Sequence, residues 1–160
     1  MNTKLLKLIS RDSRMSAEEL AAMLGMSEAE VASEIETMER GGLIRGYKAV
    51  IDWDRLDAPY VSAIIELKVT PKPGLGFEDV AQRIARYPEV ESVSLMSGAC
   101  DLIVTVKGRT IHEVSSFLAK EIAIIDSVTS TATQFIMRKY KEYGCELTSE
   151  ENDDREVFSL

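Results

Sequence analysis

The 160-residue chain has two cysteines and one histidine, and these shortages close off classes of function. Cys100 and Cys145 lie far apart with no Cys-x-x-Cys spacing, and His112 is the single histidine, so one chain offers no metal-ligand cluster. Both thiols are expected to be reduced. Neither GxSxG, HExxH, GxGxxG nor a phosphate-cradling glycine loop occurs, and His112, beside Thr110 and Ile111 at a helix start, has no catalytic partner nearby in sequence. No catalytic residue, metal or cofactor is therefore expected. No run approaches the roughly 18 apolar residues that span a bilayer, and the opening MNTKLLKLISRDSR lacks the apolar stretch and cleavage site of a signal peptide. The expected compartment is the cytoplasm, with no membrane partner.

The chain does carry 45% apolar residues, enough for a core, and a formal charge of −8. Net negative charge opposes nucleic-acid binding, because phosphate contacts need Lys and Arg. The charge is unevenly placed. Residues 1–56 carry 8 basic and 10 acidic side chains, residues 57–141 carry 10 of each, and residues 142–160 carry 1 and 7. Most of the excess belongs to an acidic tail, which reads as solvated and mobile in its middle.

Helical spacing appears first. Leu5, Leu8 and Ile9 define one helix; Ser16 followed by Glu19 is a capping box opening a second, with Leu20, Met23 and Leu24 inward and Gly25 stopping it. Ser27 and Glu30 repeat the device, and Val31, Ile35 and Met38 form the inner face of a third helix over 28–40, closed by Gly41-Gly42. Two short capped helices separated by Gly-Met-Ser read as a helix-turn-helix whose second helix faces the groove. The run over 43–52 alternates as a wing or linking strand, so residues 1–52 read as a winged helix-turn-helix and 53–59 as a linker.

From Tyr60 the period changes to that of strands. YVSAIIELKVTP, VESVSLMSG, DLIVTVKG and VTSTATQFIMRKYK read as strands, with helices over GFEDVAQRIARYP (Val80, Ile84 and Tyr87 inward) and TIHEVSSFLAKEIAIID. The fold class is α+β: the winged helix-turn-helix, then a βαββαβ ferredoxin-like sandwich over 60–141, then the tail over 142–160.

This order of parts, with the phrases AAMLGMSEAEVASEIETMERGGLIRGYKAVID and VESVSLMSGACDLIVTVKG, resembles the Lrp/AsnC family of bacterial and archaeal regulators over residues 3–140. The resemblance implies dimers formed through the sheet, assembly into a higher oligomer such as an octamer, and an amino acid or related metabolite bound between dimers. It places the effector at the loop Ser97, Gly98, Ala99, Cys100 and Asp101, with Thr131 and Thr133 of the last strand nearby on a neighbouring subunit. Cys100 stands where an aromatic residue is commoner in the family. Met96, Cys100 and Met137 read as core or rim. The ordinary alternative for the loop is a β-turn whose Asp101 caps backbone N–H groups.

The expected partners are double-stranded DNA, a small-molecule effector and further copies of the chain. The candidate DNA-contacting residues are Arg11, Arg14, Ser16, Ser27, Glu28, Ala29, Ser33, Arg40, Arg45 and Lys48. The difficulty is the third helix, which carries Glu28, Glu30, Glu34, Glu36 and Glu39 against a single Arg40. A carboxylate finds its usual base partner in cytosine N4 and repels phosphate, whereas the helix N-terminus attracts phosphate. Two readings stay open: a ligand-responsive transcriptional regulator, or a metabolite-binding or hetero-assembling sensor whose helix-turn-helix binds DNA weakly or no longer at all. An enzyme of the haem-pathway decarboxylase type shares a two-part architecture but would need His and Arg that residues 57–137 barely supply.

Overall fold

The computed structural model describes residues 2–56, 60–72, 74 and 76–147, and the chain divides into two compact units between Ala49 and Val50. The first unit is three helices, α1 (Thr3–Arg11), α2 (Ala17–Leu24) and α3 (Glu28–Arg40). Their core is Leu5, Leu20, Ala21, Val31 and Met38, with Leu8, Leu24, Ile35 and Ile44 packed against it. Each fully buried Leu or Val contributes about 1.5–3 kcal/mol of transfer free energy. Met23, expected inward, is 61% exposed. The inner face of α2 instead follows Ala17, Leu20, Ala21 and Leu24, the i, i+3, i+4, i+7 stripe, and Met23 falls outside it.

The alternating run over 43–52 forms no strand. Every regular element of the first unit is a helix, so an extended segment there has no neighbour with which to build a ladder. It is held instead by Leu43 and Ile44 N–H groups donating to the Met38 carbonyl, at 2.9 and 3.2 Å, and by the packing of Ile44. A short 3-10 turn, Trp53–Arg55, follows.

The second unit is built on β1 (Val61–Val69), α4 (Phe77–Ile84), β2 (Val90–Leu95), β3 (Leu102–Gly108), α5 (Ile111–Phe117, continued by a π-helical turn over Leu118–Ile122) and β4 (Val128–Ile136). The strands form one antiparallel sheet in the order β2-β3-β1-β4, which is the expected ferredoxin-like arrangement. Period-two alternation puts Ala63, Ile65, Leu67 and Val69 of β1 and Leu102, Val104 and Val106 of β3 on one buried face, under Val80 and Ile84 of α4 and Val114 and Phe117 of α5. Tyr87 lies past the end of α4, where its ring meets Phe117 edge-on at 5.3 Å. On the other face Ile64, Glu66, Ile103 and Thr105 are only partly covered.

The last strand ends at Ile136, earlier than its alternation suggests. Beyond it Arg138 lies over the Tyr140 ring, and β5 (Lys141–Glu142) pairs with β6 (Cys145–Glu146) in a small hairpin. Its two turn residues, Tyr143 and Gly144, have φ of 47° and 85°, the paired positive values of a type I′ turn. The stretch expected to open the tail is thus folded through Leu147, and the mobile middle expected of the tail lies outside the described residues.

Candidate DNA interface and effector loop

Both capping boxes form. Ser16 N–H donates to Glu19 Oε2 at 2.7 Å and Glu19 N–H to Ser16 Oγ at 3.2 Å; the Ser27 and Glu30 pair repeats this at 2.8 and 3.3 Å. Gly25, at φ 66°, caps α2 in the left-handed region that a side chain would strain, and the chain turns there into α3. Ser16 and Ser27 therefore serve as caps, and the Ser27 hydroxyl also donates to Glu30 at 2.8 Å. What remains at the tip of α3 is its first N–H groups and the exposed side chains of Glu28, Ala29 and Ser33. Ser33 also gives its carbonyl to the Thr37 hydroxyl at 2.8 Å.

Four of the five carboxylates on α3 are engaged within their own domain. Glu30 closes the capping box, which lowers its pKa, chiefly through the backbone N–H of Ser27 and then through its hydroxyl. Glu34 accepts from the Asn2 N–H at 3.3 Å and Glu36 pairs with Arg40 at 3.7 Å. Glu39 accepts the Tyr47 hydroxyl at 2.8 Å, and desolvation followed by that carboxylate raises the phenol pKa. Glu28 has no hydrogen bond or ion pair among the described residues. These bonds orient the carboxylates without removing their charge, except where Arg40 pairs with Glu36, and the partners of Glu34 and Glu39 become visible only in the fold.

Arg11, Arg14, Arg40, Arg45 and Lys48 are all exposed. Arg14 follows a turn fixed by its own N–H donating to Asp12 Oδ1 at 2.8 Å. The Arg45 guanidinium lies over Gly42, close enough that a Cβ there would stand 3.0 Å from Arg45 Cζ. Nothing in the residue pattern signals that approach, since it depends on the turn of chain after α3.

In the second unit, Ser97 to Cys100 connect β2 to β3, with Ser97, Gly98 and Ala99 exposed and Cys100 half-buried. Asp101 fixes the loop to β1 twice: its N–H donates to the Leu67 carbonyl at 2.9 Å, and its Oδ2 accepts from Val69 N–H at 2.8 Å. The carboxylate thus binds backbone, but across the sheet rather than within its own turn. Thr131 and Thr133 stand opposite Leu67 and Ile65 on β4, on the helix-covered face, so β1 separates them from the loop within one chain. Met96 and Met137 are 41% and 91% exposed, so neither is a core residue. A separate recess of about 50 Å³, lined by Trp53, Tyr60, Ser62 and Ile136 among others, lies toward the opposite end of β1 and is far smaller than the roughly 300 Å³ of a typical ligand site. Among the described residues no group of three His, Cys, Asp or Glu could hold a metal, and no helix is long and apolar enough to cross a membrane.

Comparison with known proteins gives each unit a counterpart. The AsnC-type helix-turn-helix domain matches residues 1–39 and the Lrp/AsnC ligand binding domain matches residues 62–144. An uncharacterized HTH-type transcriptional regulator of Bacillus subtilis, YugG, is 42% identical over 98% of this chain and 95% of its own length. Among solved structures, AsnC of E. coli superposes with a TM-score of 0.64 at 21% identity, over 86% of this chain and 91% of that one. A Neisseria meningitidis transcriptional regulator, crystallised as a complex with L-Met, does so with a TM-score of 0.68 at 19% identity, over 87% and 89%. At those identities the two structures speak to the fold alone.

Proposed function

Because the chain belongs to the Lrp/AsnC family of transcriptional regulators, with a helix-turn-helix and a ligand-binding domain, we propose that it is a homo-oligomeric regulator whose DNA affinity is set by an amino acid held at the Ser97–Asp101 loop. The observation that carries the effector reading is the anchoring of Asp101. Its Oδ2 is committed to Val69, which fixes the carboxylate while its other oxygen has no partner among the described residues. A fixed carboxylate beside exposed loop N–H groups suits the ammonium and carboxylate of an amino acid. The L-Met complex of the N. meningitidis protein, which has the same fold, supports this ligand class.

The DNA reading rests on the open end of α3 and the flanking cations. Helix N–H groups and the partial positive charge of the terminus bind phosphate without basic side chains. Arg11, Arg14, Arg45 and Lys48 add charge, Arg40 being paired with Glu36, and a homo-oligomer repeats each weak interaction. The partly covered sheet face with Ile64 and Ile103 supports pairing with a second copy. Under this reading the protein works in the cytoplasm on duplex DNA. The competing sensor without DNA binding draws its force from the five Glu, of which Glu36 alone is offset by a cation, Arg40.

The test is fluorescence anisotropy of the full chain on duplexes from upstream of its own gene, titrated in salt with and without a pool of amino acids. Binding that strengthens as salt falls and shifts with one amino acid is expected. Absence of duplex binding at low ionic strength would sink the DNA half of the proposal, and DNA binding indifferent to every amino acid would sink the effector half.

A further inference from the structure

We propose that Glu28 is the base-reading residue of this protein and that it selects a cytosine in each half-site; the inference rests on α3 entering the major groove. Glu28 is the first residue of α3, exposed, and the one carboxylate of that helix left without a partner among the described residues. Helical side chains tilt toward the N-terminus, so the Glu28 carboxylate reaches ahead of the helix, toward whatever the helix tip approaches. In helix-turn-helix docking that is a base edge.

The chemistry then chooses the base. An ionised carboxylate only accepts hydrogen bonds, and the major groove offers two donors, the N4 amino group of cytosine and the N6 amino group of adenine. Adenine N6 sits beside N7, an acceptor whose lone pair opposes a carboxylate. Cytosine N4 sits beside a C5–H, which does not. The rest of the helix tip discriminates little: Ala29 has no polar side chain, Ser27 and Glu30 are closed on each other, and the exposed Ser33 hydroxyl both donates and accepts, so it does not choose between bases. A carboxylate held among phosphates without a donor is costly, so sites lacking the cytosine are penalised as well as unrewarded.

The experiment is selection of bound duplexes from a random pool by the full chain and by its Glu28→Gln and Glu28→Ala variants, each first checked for native helical circular dichroism. The native protein is expected to enrich a motif with cytosine at one position of each half-site, by about fivefold or more over other bases. Glu28→Gln moves that position to adenine, which Gln pairs through N6 and N7, and Glu28→Ala leaves it without preference, while other positions keep theirs. Loss of the favourable charge at the helix N-terminus alters stability without altering base preference at one position. The same motif from all three proteins, or duplex retention without any motif, overturns the assignment while leaving DNA binding intact. No retention of any duplex at low salt overturns both the assignment and the DNA-binding reading on which it rests.

Discussion

The Asp101 carboxylate lies 2.8 Å from the Val69 amide nitrogen, so the loop after β2 is fastened to β1 by a side chain in a β-bulge region, where the β1 and β4 registers shift between Lys68 and Val69. The loop is thus tied to β1 at Asp101. Under the proposed effector reading, Asp101 has two separable roles.

Asp101→Ala removes the acceptor and leaves a partly buried N–H unsatisfied, a loss of about 1–3 kcal/mol. Asp101→Asn keeps an acceptor for Val69 and is expected to retain most of that stability while losing the charge that an amino acid's ammonium needs. Chemical denaturation of both variants, with calorimetric titration of the effector, separates the roles. Equal loss of stability in the two variants would show that charge, not geometry, holds the loop.

The helix-turn-helix unit stands on five buried residues, so its stability is sensitive to each. Leu20→Ala is expected to cost about 2–5 kcal/mol through reduced burial and the cavity left behind. Because Leu20 packs within the first unit, the helical signal and DNA binding should melt at lower temperature while effector binding by the second unit persists. Loss of both functions in one transition would mean that the units unfold together.

Glu30 has a pKa lowered below that of an ordinary glutamate by the Ser27 N–H and hydroxyl. A folded-state pKa below the unfolded one contributes stability that is present above the unfolded value and lost as pH falls through the folded one. The start of α3 should therefore loosen in acid, below the usual glutamate range, and not on raising pH toward neutrality or beyond. Carboxyl NMR titration is expected to place Glu30 below an ordinary glutamate, and Ser27→Ala should move Glu30 upward. An unmoved Glu30 would mean that Ser27 is not its cause.

Much of this was legible in the residues. Ser and Glu three apart predicted both boxes because a cap is a local device, and the bounds of α3 followed from Ser27 and Gly41. The sheet was legible because Ala63, Ile65 and Leu67 alternate with partly exposed neighbours. The run over 43–52 misled because alternation describes a face and not a partner, and a strand needs both. The partners of the α3 carboxylates were hidden for a related reason: Glu34 meets Asn2 and Glu39 meets Tyr47 only after the chain has folded back. The hairpin over 141–146 hid within a charge run, its turn residues Tyr143 and Gly144 unmarked by flanking apolar alternation.

Arg45 offers a test of how the first unit meets phosphate, because its position is set by a glycine. Gly42 has φ 69°, and its missing side chain leaves room for the guanidinium laid over it. If Arg45 binds phosphate from that pose, Arg45→Ala frees one phosphate per subunit, and the slope of log affinity against log salt should fall by about 0.9 for each phosphate no longer neutralised. Gly42→Ala keeps the charge but strains the turn by about 1 kcal/mol and displaces the guanidinium, so it should weaken binding at low salt with a smaller change in slope. Arg86, an exposed cation of the second unit, serves as the comparison, and Arg86→Ala is expected to leave the slope unchanged. A slope that ignores Arg45 but responds to Arg86 would move phosphate binding off the helix-turn-helix and onto the ligand-binding unit.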